Sequence, residues 1–487
     1  MRRLDEAALS SLPASVARPL YDRRAVRTGI VHLGLGAFHK AHQAVYYEAA
    51  LNSGDLRWGV LGASLRSRAV RDQLAPQGNL YTVTAREGAD ARTQLIGALR
   101  GVLVAPEDPT ALVSAMAAAD THLVTLTVTE KGYKLDPATG ALIRDDPDLA
   151  ADLASLAAPR TAPGLIVAAL AQRRAARLKP FTTVSCDNLP HNGKRLRDAV
   201  FALAAHHDRA LRDWIETHGA FPETMVDRIV PATEEADIDA LDGRIGVADR
   251  AMVKTEPFSQ WVIQDRFVGE RPDFAALGVQ ITDSVAPWED AKLRMLNGAH
   301  SGIAYLGGLA GIEFVHEFVA IPAGRAFVEA LWNESAETLS PPPGLDLPAY
   351  RTALMGRFAN SALNHRTRQI AMDGSQKLPQ RLLAPILVRL ERGQPVDTLA
   401  LAVAAWMRWQ EARDDAGDTY VVDDPLAART AGSANLSASD AVAGLLAIDA
   451  IFPPALAEHP GFRTALTSAL GALRAKGARG TLEERFA

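Results

Sequence analysis

Three side chains able to move or hold a proton stand close together in the stretch Ala286 to Leu306, APWEDAKLRMLNGAHSGIAYL: Lys292, Asn297 and His300. The stretch reads as a helix. Pro287 suits a first helical turn, where its missing N–H costs nothing, and Glu289 and Asp290 place negative charge near the positive end of the helix dipole. At 3.6 residues per turn, Lys292, Leu296 and His300 form one drifting stripe, with Asn297 beside His300, Leu293 in the same arc, and Arg294 and Gly298 opposite. An ammonium, an amide and an imidazole thus share a face with leucines. Burial of such groups is costly unless they are paired or used. The plain alternative is a half-exposed helix whose polar groups meet water.

Other residues add to this chemistry. The apolar run GIVHL from Gly29 flows into Gly34, Leu35, Gly36, Ala37 and Phe38 and then into a helical segment. A glycine turn between a buried strand and a helix is where a dinucleotide pyrophosphate finds close backbone approach and a helix N-terminus. The third glycine of GxGxxG is absent, with His39 in its place, so an ordinary tight turn is the competing reading. His39 and His42 have no acid or cysteine cluster with ligand spacing around them, so no metal is expected, and they are expected to shape the entry to the phosphate loop. After the next strand comes SLRSRAVRD, with Arg66, Ser67 and Arg68 before any acid. NAD enzymes commonly carry an acid there and NADP enzymes basic groups, so the choice between NAD and NADP stays open. Asn188, in SCDN at a strand end, can offer an amide hydrogen to a developing alkoxide, or can make an Asx turn. Asp227 either contacts substrate or a partner, or pairs with Arg228. Cys186 reads as a small buried residue. The segment RTRQIAMDGSQKLPQR carries Arg366, Arg368, Lys377 and Arg381, which suit a carboxylate or phosphate, or else a basic surface loop.

The elements that must position these residues fall into two halves. Strand-like runs at Gly29, Trp58, Leu80, Thr93, Thr121, Phe181 and Met225 alternate with helical segments, which argues a largely parallel α/β sheet. Beyond about Val285 the strand signals nearly vanish and helical segments follow one another, the last from Phe462 to Lys476. The expected division is an α/β domain over 1–285 and an α-helical domain over 286–487, with the Lys292 helix opening the second at the seam, where ligand sites are favoured. Of 487 residues, 48% are hydrophobic and 22% charged, and the formal net charge of −5 gives no reason to expect nucleic acid. A single cysteine excludes an intramolecular disulfide. The start carries no apolar core of signal-peptide length, and no window has a membrane span's apolar length, so a soluble cytoplasmic protein is expected.

The pieces GLGAFHKAHQA, TLTVTEKGY, SCDNLPHNG, FPETMVDRIVP, FSQWVIQDRFVGERPDF, KLRMLNGAHS and DGSQKLPQ run in one order over nearly the whole chain. Together they resemble the mannitol dehydrogenase family of polyol-specific long-chain dehydrogenases. The resemblance implies a Rossmann-type amino-terminal domain, an all-α carboxy-terminal domain with the site between, and metal-free hydride transfer with NAD or NADP. It implies Lys292 as general acid/base, Asn188 and Asn297 holding the reacting oxygen, His300 touching substrate and Lys377 binding it. Mannitol 2-dehydrogenases carry an arginine four residues before the Asp-Gly of the late loop, and here that position is Gln369. The form HRTRQIAMDGSQKLPQR resembles the fructuronate reductase (mannonate oxidoreductase) branch, whose substrate carries a carboxylate that Arg366, Arg368 or Arg381 could hold. The expected partner is a small sugar acid or polyol, not nucleic acid or membrane, with the chain a monomer or weak homo-oligomer. A mannitol- or arabinitol-type enzyme, or a nucleotide-binding regulator without catalysis, are the competing functions.

Overall fold

The computed structural model describes residues 2–136, 139–433 and 436–487. The chain groups into two compact units, Met1–Ala286 and Pro287–Ala487.

In the first unit five parallel strands form the central sheet: β1 (Thr28–Leu33), β2 (Gly59–Ser64), β3 (Leu99–Val104), β4 (Leu123–Leu126) and β5 (Thr182–Ser185). Their order is β3-β2-β1-β4-β5, so the order reverses beside β1, as in dinucleotide-binding sheets. Alternate residues feed opposite faces: Ile30, Val60 and Leu123 enter one core, and Val31, Ala63 and Val124 another. A sheet buried on both faces explains why these strands read as continuous apolar runs.

The single sheet expected from sequence is three. The hairpin Tyr81–Glu87 and Asp90–Ile96 forms a second with Val16–Ala17 and Val253–Thr255. Thr224–Asp227 runs antiparallel to Gln260–Gln264 in a third, with Gln280–Thr282 parallel to the latter. The run TQLIGAL, expected as one strand, breaks at Gly97. A Cβ there would come within 2.9 Å of Pro19, and the chain turns to begin β3.

The second unit is helical, and among the described residues no strand follows Gln280–Thr282. At its centre lies Gly298–Leu309, buried along its whole length, against Thr367–Ala371 and Asp397–Trp409. Its glycines permit this approach: a Cβ on Gly302 would lie 2.8 Å from the Phe327 ring, and one on Gly308 would lie 2.7 Å from Trp409. Fully buried Phe318, Phe327 and Trp406 anchor the core, each contributing about 1.5–3 kcal/mol by apolar burial. The last helix, Pro460–Phe486, was expected to end near Lys476. It bends instead at Gly477, φ 71°, and continues where the Asp415 carboxylate accepts from Ala478 N at 2.6 Å.

Candidate functional site

The Lys292 stretch is not one α-helix. Ala286–Ala291 and Gly298–Leu309 are α-helical, but Lys292–Asn297 is a π turn. With bonding from i to i+5, Asn297 takes the place one turn after Lys292 that an α-helix would give to Leu296. The expected stripe of Lys292, Leu296 and His300 is corrected accordingly: Leu296 belongs to the hydrophobic core, and the polar face reads Lys292, Asn297, His300. All three are buried. Nδ2 of Asn297 and Nε2 of His300 have no hydrogen-bond partner, and neither has Nδ1 of His365. Buried polar atoms are almost always paired, so three unpartnered ones at one helix junction mark a place built for a polar ligand.

A second π turn, Pro379–Leu383, packs on the first, and a Cβ on Gly298 would stand 3.0 Å from the Arg381 carbonyl. Arg381 Nη1 lies 3.2 Å from Ser301 Oγ and 3.5 Å from the Asn297 carbonyl. Burial lowers its pKa to about 10, which still leaves it cationic at neutral pH. Lys377 donates to the carbonyls of Ile370 and Met372, and burial together with Arg381 brings its pKa to about 8. The other two candidate arginines are not part of this group. Arg366 pairs with Glu313 over the Phe314 ring, and Arg368 faces Asp414 at 3.8 Å over Tyr420. Both are more than half exposed, which is the surface-loop alternative.

His300 is stacked obliquely on Phe358 at 4.8 Å and meets His365 edge-on at 5.1 Å. Burial above all, then His365, Arg357, Arg381 and Lys292, holds its pKa well below the ordinary imidazole value. His365 is lowered to about 4 by burial and Arg357. Both rings are therefore neutral at physiological pH, able to donate or accept one hydrogen bond at each nitrogen.

In the first unit, Gly34 (φ 88°) follows β1, and a Cβ on it would run into the Thr127 carbonyl. Both Gly34 N and Leu35 N donate to the Ala63 carbonyl, at 2.9 and 3.0 Å. The Leu35 side chain is buried against Gly62. Leu35 thus offers a ligand neither amide nor side chain, contrary to its place among the expected cofactor contacts. The donors left are the first-turn amides of Ala37–Ala41, among them Ala37 and Phe38, with Gly36 as the capping residue. A Cβ on Gly36 would meet only the Gly34 carbonyl, at 3.8 Å, so the space before this turn is open, and the turn fits a pyrophosphate. Arg66 is exposed just past β2. His39 and His42 are fully buried, not at a loop entry: His39 stacks on His32 at 3.6 Å, and His42 Nε2 bonds the Gln260 carbonyl at 2.8 Å. Among the described residues no group of three or more metal-ligating side chains occurs.

At the carboxyl ends of β4 and β5 one carboxylate stitches two loops. Asp187 accepts from Val128 N at 3.2 Å, Thr129 N at 2.8 Å and the Tyr133 hydroxyl at 2.8 Å. This holds Thr129 at φ 65°, an uncommon conformation for a β-branched residue. Asn188 follows directly and is exposed. Asp227 ends its strand buried, and Arg228 donates to the carbonyls of Ala41 and Glu256.

A family model described as the mannitol dehydrogenase Rossmann domain matches residues 28–276, and one described as the mannitol dehydrogenase C-terminal domain matches 284–474. The chain belongs to the mannitol dehydrogenase family. D-mannonate oxidoreductase of Escherichia coli (strain K12) is 44% identical over 96% of this chain and 98% of that protein. Mannitol 2-dehydrogenase of Pyrenophora tritici-repentis is 39% identical over 99% of this chain and 86% of its own length. Among solved structures, Pseudomonas fluorescens mannitol 2-dehydrogenase, a ternary complex with NAD and D-mannitol, aligns with a TM-score of 0.88 and 39% identity over 99% of both chains.

As a mannitol dehydrogenase family member the chain is an oxidoreductase of the secondary-alcohol dehydrogenase kind. Sequence reasoning passed over four residues of its polar clusters: Arg357, His365, Ser301 and Asp187. Signals existed for three of them, since His365 opens HRTRQIAMDGSQKLPQR, Asp187 lies inside SCDN and Ser301 closes KLRMLNGAHS. Nothing local marks Arg357, which is buried near the end of the helix Leu347–Phe358.

Proposed function

We propose that this chain interconverts D-mannonate and D-fructuronate with NAD. NAD, when bound at the Gly34–Phe38 turn, supplies the hydride acceptor or donor. The chain's own part is to hold the alcohol carbon's oxygen and to handle its proton. Lys292 Nζ takes the hydroxyl proton during oxidation and returns it during reduction. The Nδ2 hydrogens of Asn297 and Asn188 hold the oxygen as negative charge develops on it, and His300 Nε2 bonds a neighbouring hydroxyl. Asp227 and Lys377 are assigned contacts with the rest of the sugar. The observation that carries the reading is the set of buried, unpartnered atoms on Asn297, His300 and His365 around the Lys292 turn.

The sugar acid is favoured over a polyol by Arg381. Its guanidinium stands beside Asn297 and Ser301, where a carboxylate can take two parallel hydrogen bonds. Gln369, where mannitol enzymes carry arginine, is exposed. The test follows loss of NADH, and separately NADPH, with fructuronate, tagaturonate, fructose and xylulose. Fructuronate is expected to give the highest kcat/KM. Arg381→Met should remove most of the preference over fructose, while Arg366→Met and Arg368→Met should leave it intact. Equal efficiency with fructose would move the assignment to a polyol dehydrogenase.

A further inference from the structure

A buried histidine that no catalytic role uses sits beneath the glycine turn. His32 is on β1, two residues before Gly34, and is wholly inaccessible to solvent. In the parallel register it lies beside Thr125 of β4, and Thr127 stands one step further along the same face. His32 Nδ1 is 2.8 Å from Thr125 Oγ1, and Nε2 is 3.0 Å from Thr127 Oγ1. Thr127 Oγ1 in turn donates to the Gly34 carbonyl at 3.0 Å.

The direction of this chain follows from donor and acceptor bookkeeping. A carbonyl only accepts, so the single hydroxyl proton of Thr127 is committed to Gly34. Thr127 Oγ1 must then accept from His32, which requires the proton on Nε2. A neutral ring with Nε2–H leaves Nδ1 as acceptor, so the Thr125 hydroxyl donates to it. Burial holds the His32 pKa down to about 3, so the ring stays neutral at physiological pH. The neutral ring is also the one that can stack at 3.6 Å on His39, which fills the position of the missing third glycine.

We propose that His32 is a positioning residue for the dinucleotide turn: in its Nε2–H tautomer it fixes Thr127, and Thr127 fixes the Gly34 carbonyl and so the direction of the Gly36, Ala37 and Phe38 amides. Gly34 N and Leu35 N are tied to the Ala63 carbonyl on one side, and the Gly34 carbonyl is tied to Thr127 on the other. The peptide is held from both neighbouring strands, which leaves its first-turn amides preorganised for phosphate oxygens. This rests on the reading of that turn as the NAD site.

The tautomer is read directly by nitrogen-15 NMR of the imidazoles in the full-length protein. The expected pattern for His32 is a protonated Nε2 and a bare Nδ1 at neutral pH, and an Nδ1–H ring would overturn the proposal. The coupling to the turn is read by NADH binding in fluorescence titration, beside thermal unfolding of the same samples. Thr127→Val keeps the shape and removes the relay, and is expected to weaken NADH about five- to tenfold, the worth of one net hydrogen bond. Thr127→Ser restores the hydroxyl and is expected to bind as wild type. His32→Gln, which can present an amide N–H at the Nε2 position, is expected to bind more tightly than His32→Leu. If the His32 variants fail to fold, the Thr127 pair and the wild-type tautomer decide. Thr127→Val with wild-type affinity would refute the relay. Gly36→Val separates the two failures: if it too binds NADH normally, the NAD assignment of the turn has failed. If it alone loses binding, only the His32 relay has failed.

Discussion

The glycine turn of the first unit and the paired π turns of the second solve the same problem by opposite means. At the turn, main-chain groups face the ligand space, and side chains are absent at Gly34 and Gly36 and sunk into the core at Leu35 and His39. At and just after the first π turn the site is made of buried side chains, with Nδ2 of Asn297 and Nε2 of His300 left unpartnered. A backbone site recognises what all dinucleotides share. A side-chain site can discriminate one sugar from another.

That contrast sets what mutations should do. The largest effect is expected at Lys292. Lys292→Ala should cut kcat by about a hundredfold or more while NADH affinity is unchanged, because only the proton acceptor is lost. Turnover near wild type across the pH range would remove Lys292 from its role and leave the π turn structural. Next come the amides. Asn297→Ala and Asn188→Ala should each cost about 3 kcal/mol of transition-state stabilisation, read as a fall in kcat/KM carried by kcat. A change confined to KM would show uniform binding instead.

Gly36→Val should do the reverse of Lys292→Ala. The open space around Gly36 accepts a side chain without a clash, so unfolding temperature should hold while NADH affinity falls. Intact affinity in a folded variant would break the contrast on its backbone side. The smallest effect concerns pH. The Lys377 ammonium is stable in water up to its ordinary pKa, but burial and Arg381 bring the folded value to about 8. The positive charge is present below that value and lost as pH rises through it. KM for a sugar acid should therefore climb above about pH 8, and Lys377→Gln should flatten the climb. A KM that stays level from pH 7 to pH 9 in the wild type would exclude Lys377 from binding the acid.

How far sequence reaches depends on whether the cause is local. The β1–turn–helix unit was legible because a buried apolar run, a glycine that tolerates φ 88° and a following helical segment all lie within one short stretch. The alternation of strands and helices, and the loss of strands after Thr282, were legible for the same reason. The π turn was not. Residues 292–297 carry the same pattern of types whether bonding runs to i+4 or i+5, and what accompanies the wider turn is contact with a second such turn more than eighty residues later. The basic loop shows the same limit. Four similar cations follow one another, yet Arg366 and Arg368 find Glu313 and Asp414 at the surface, while Arg381 is drawn to Ser301. The short strands at Gln260 and Gln280 have only five and three residues, too few for an alternation to declare itself.

The π turn also makes the second unit tolerant of length at one junction and intolerant beside it. A helix that carries one residue beyond α spacing returns to ordinary bonding when that residue is removed. After a one-residue deletion within 293–296, Asn297 would stand four places after Lys292 and still one turn away, so the polar face of Lys292, Asn297 and His300 would persist. The same deletion inside the α-helical Gly298–Leu309 would instead turn everything after it by roughly 100° and carry core side chains off the core. The junction that builds the polar face is thus also where the chain can lose a residue at the least cost to it.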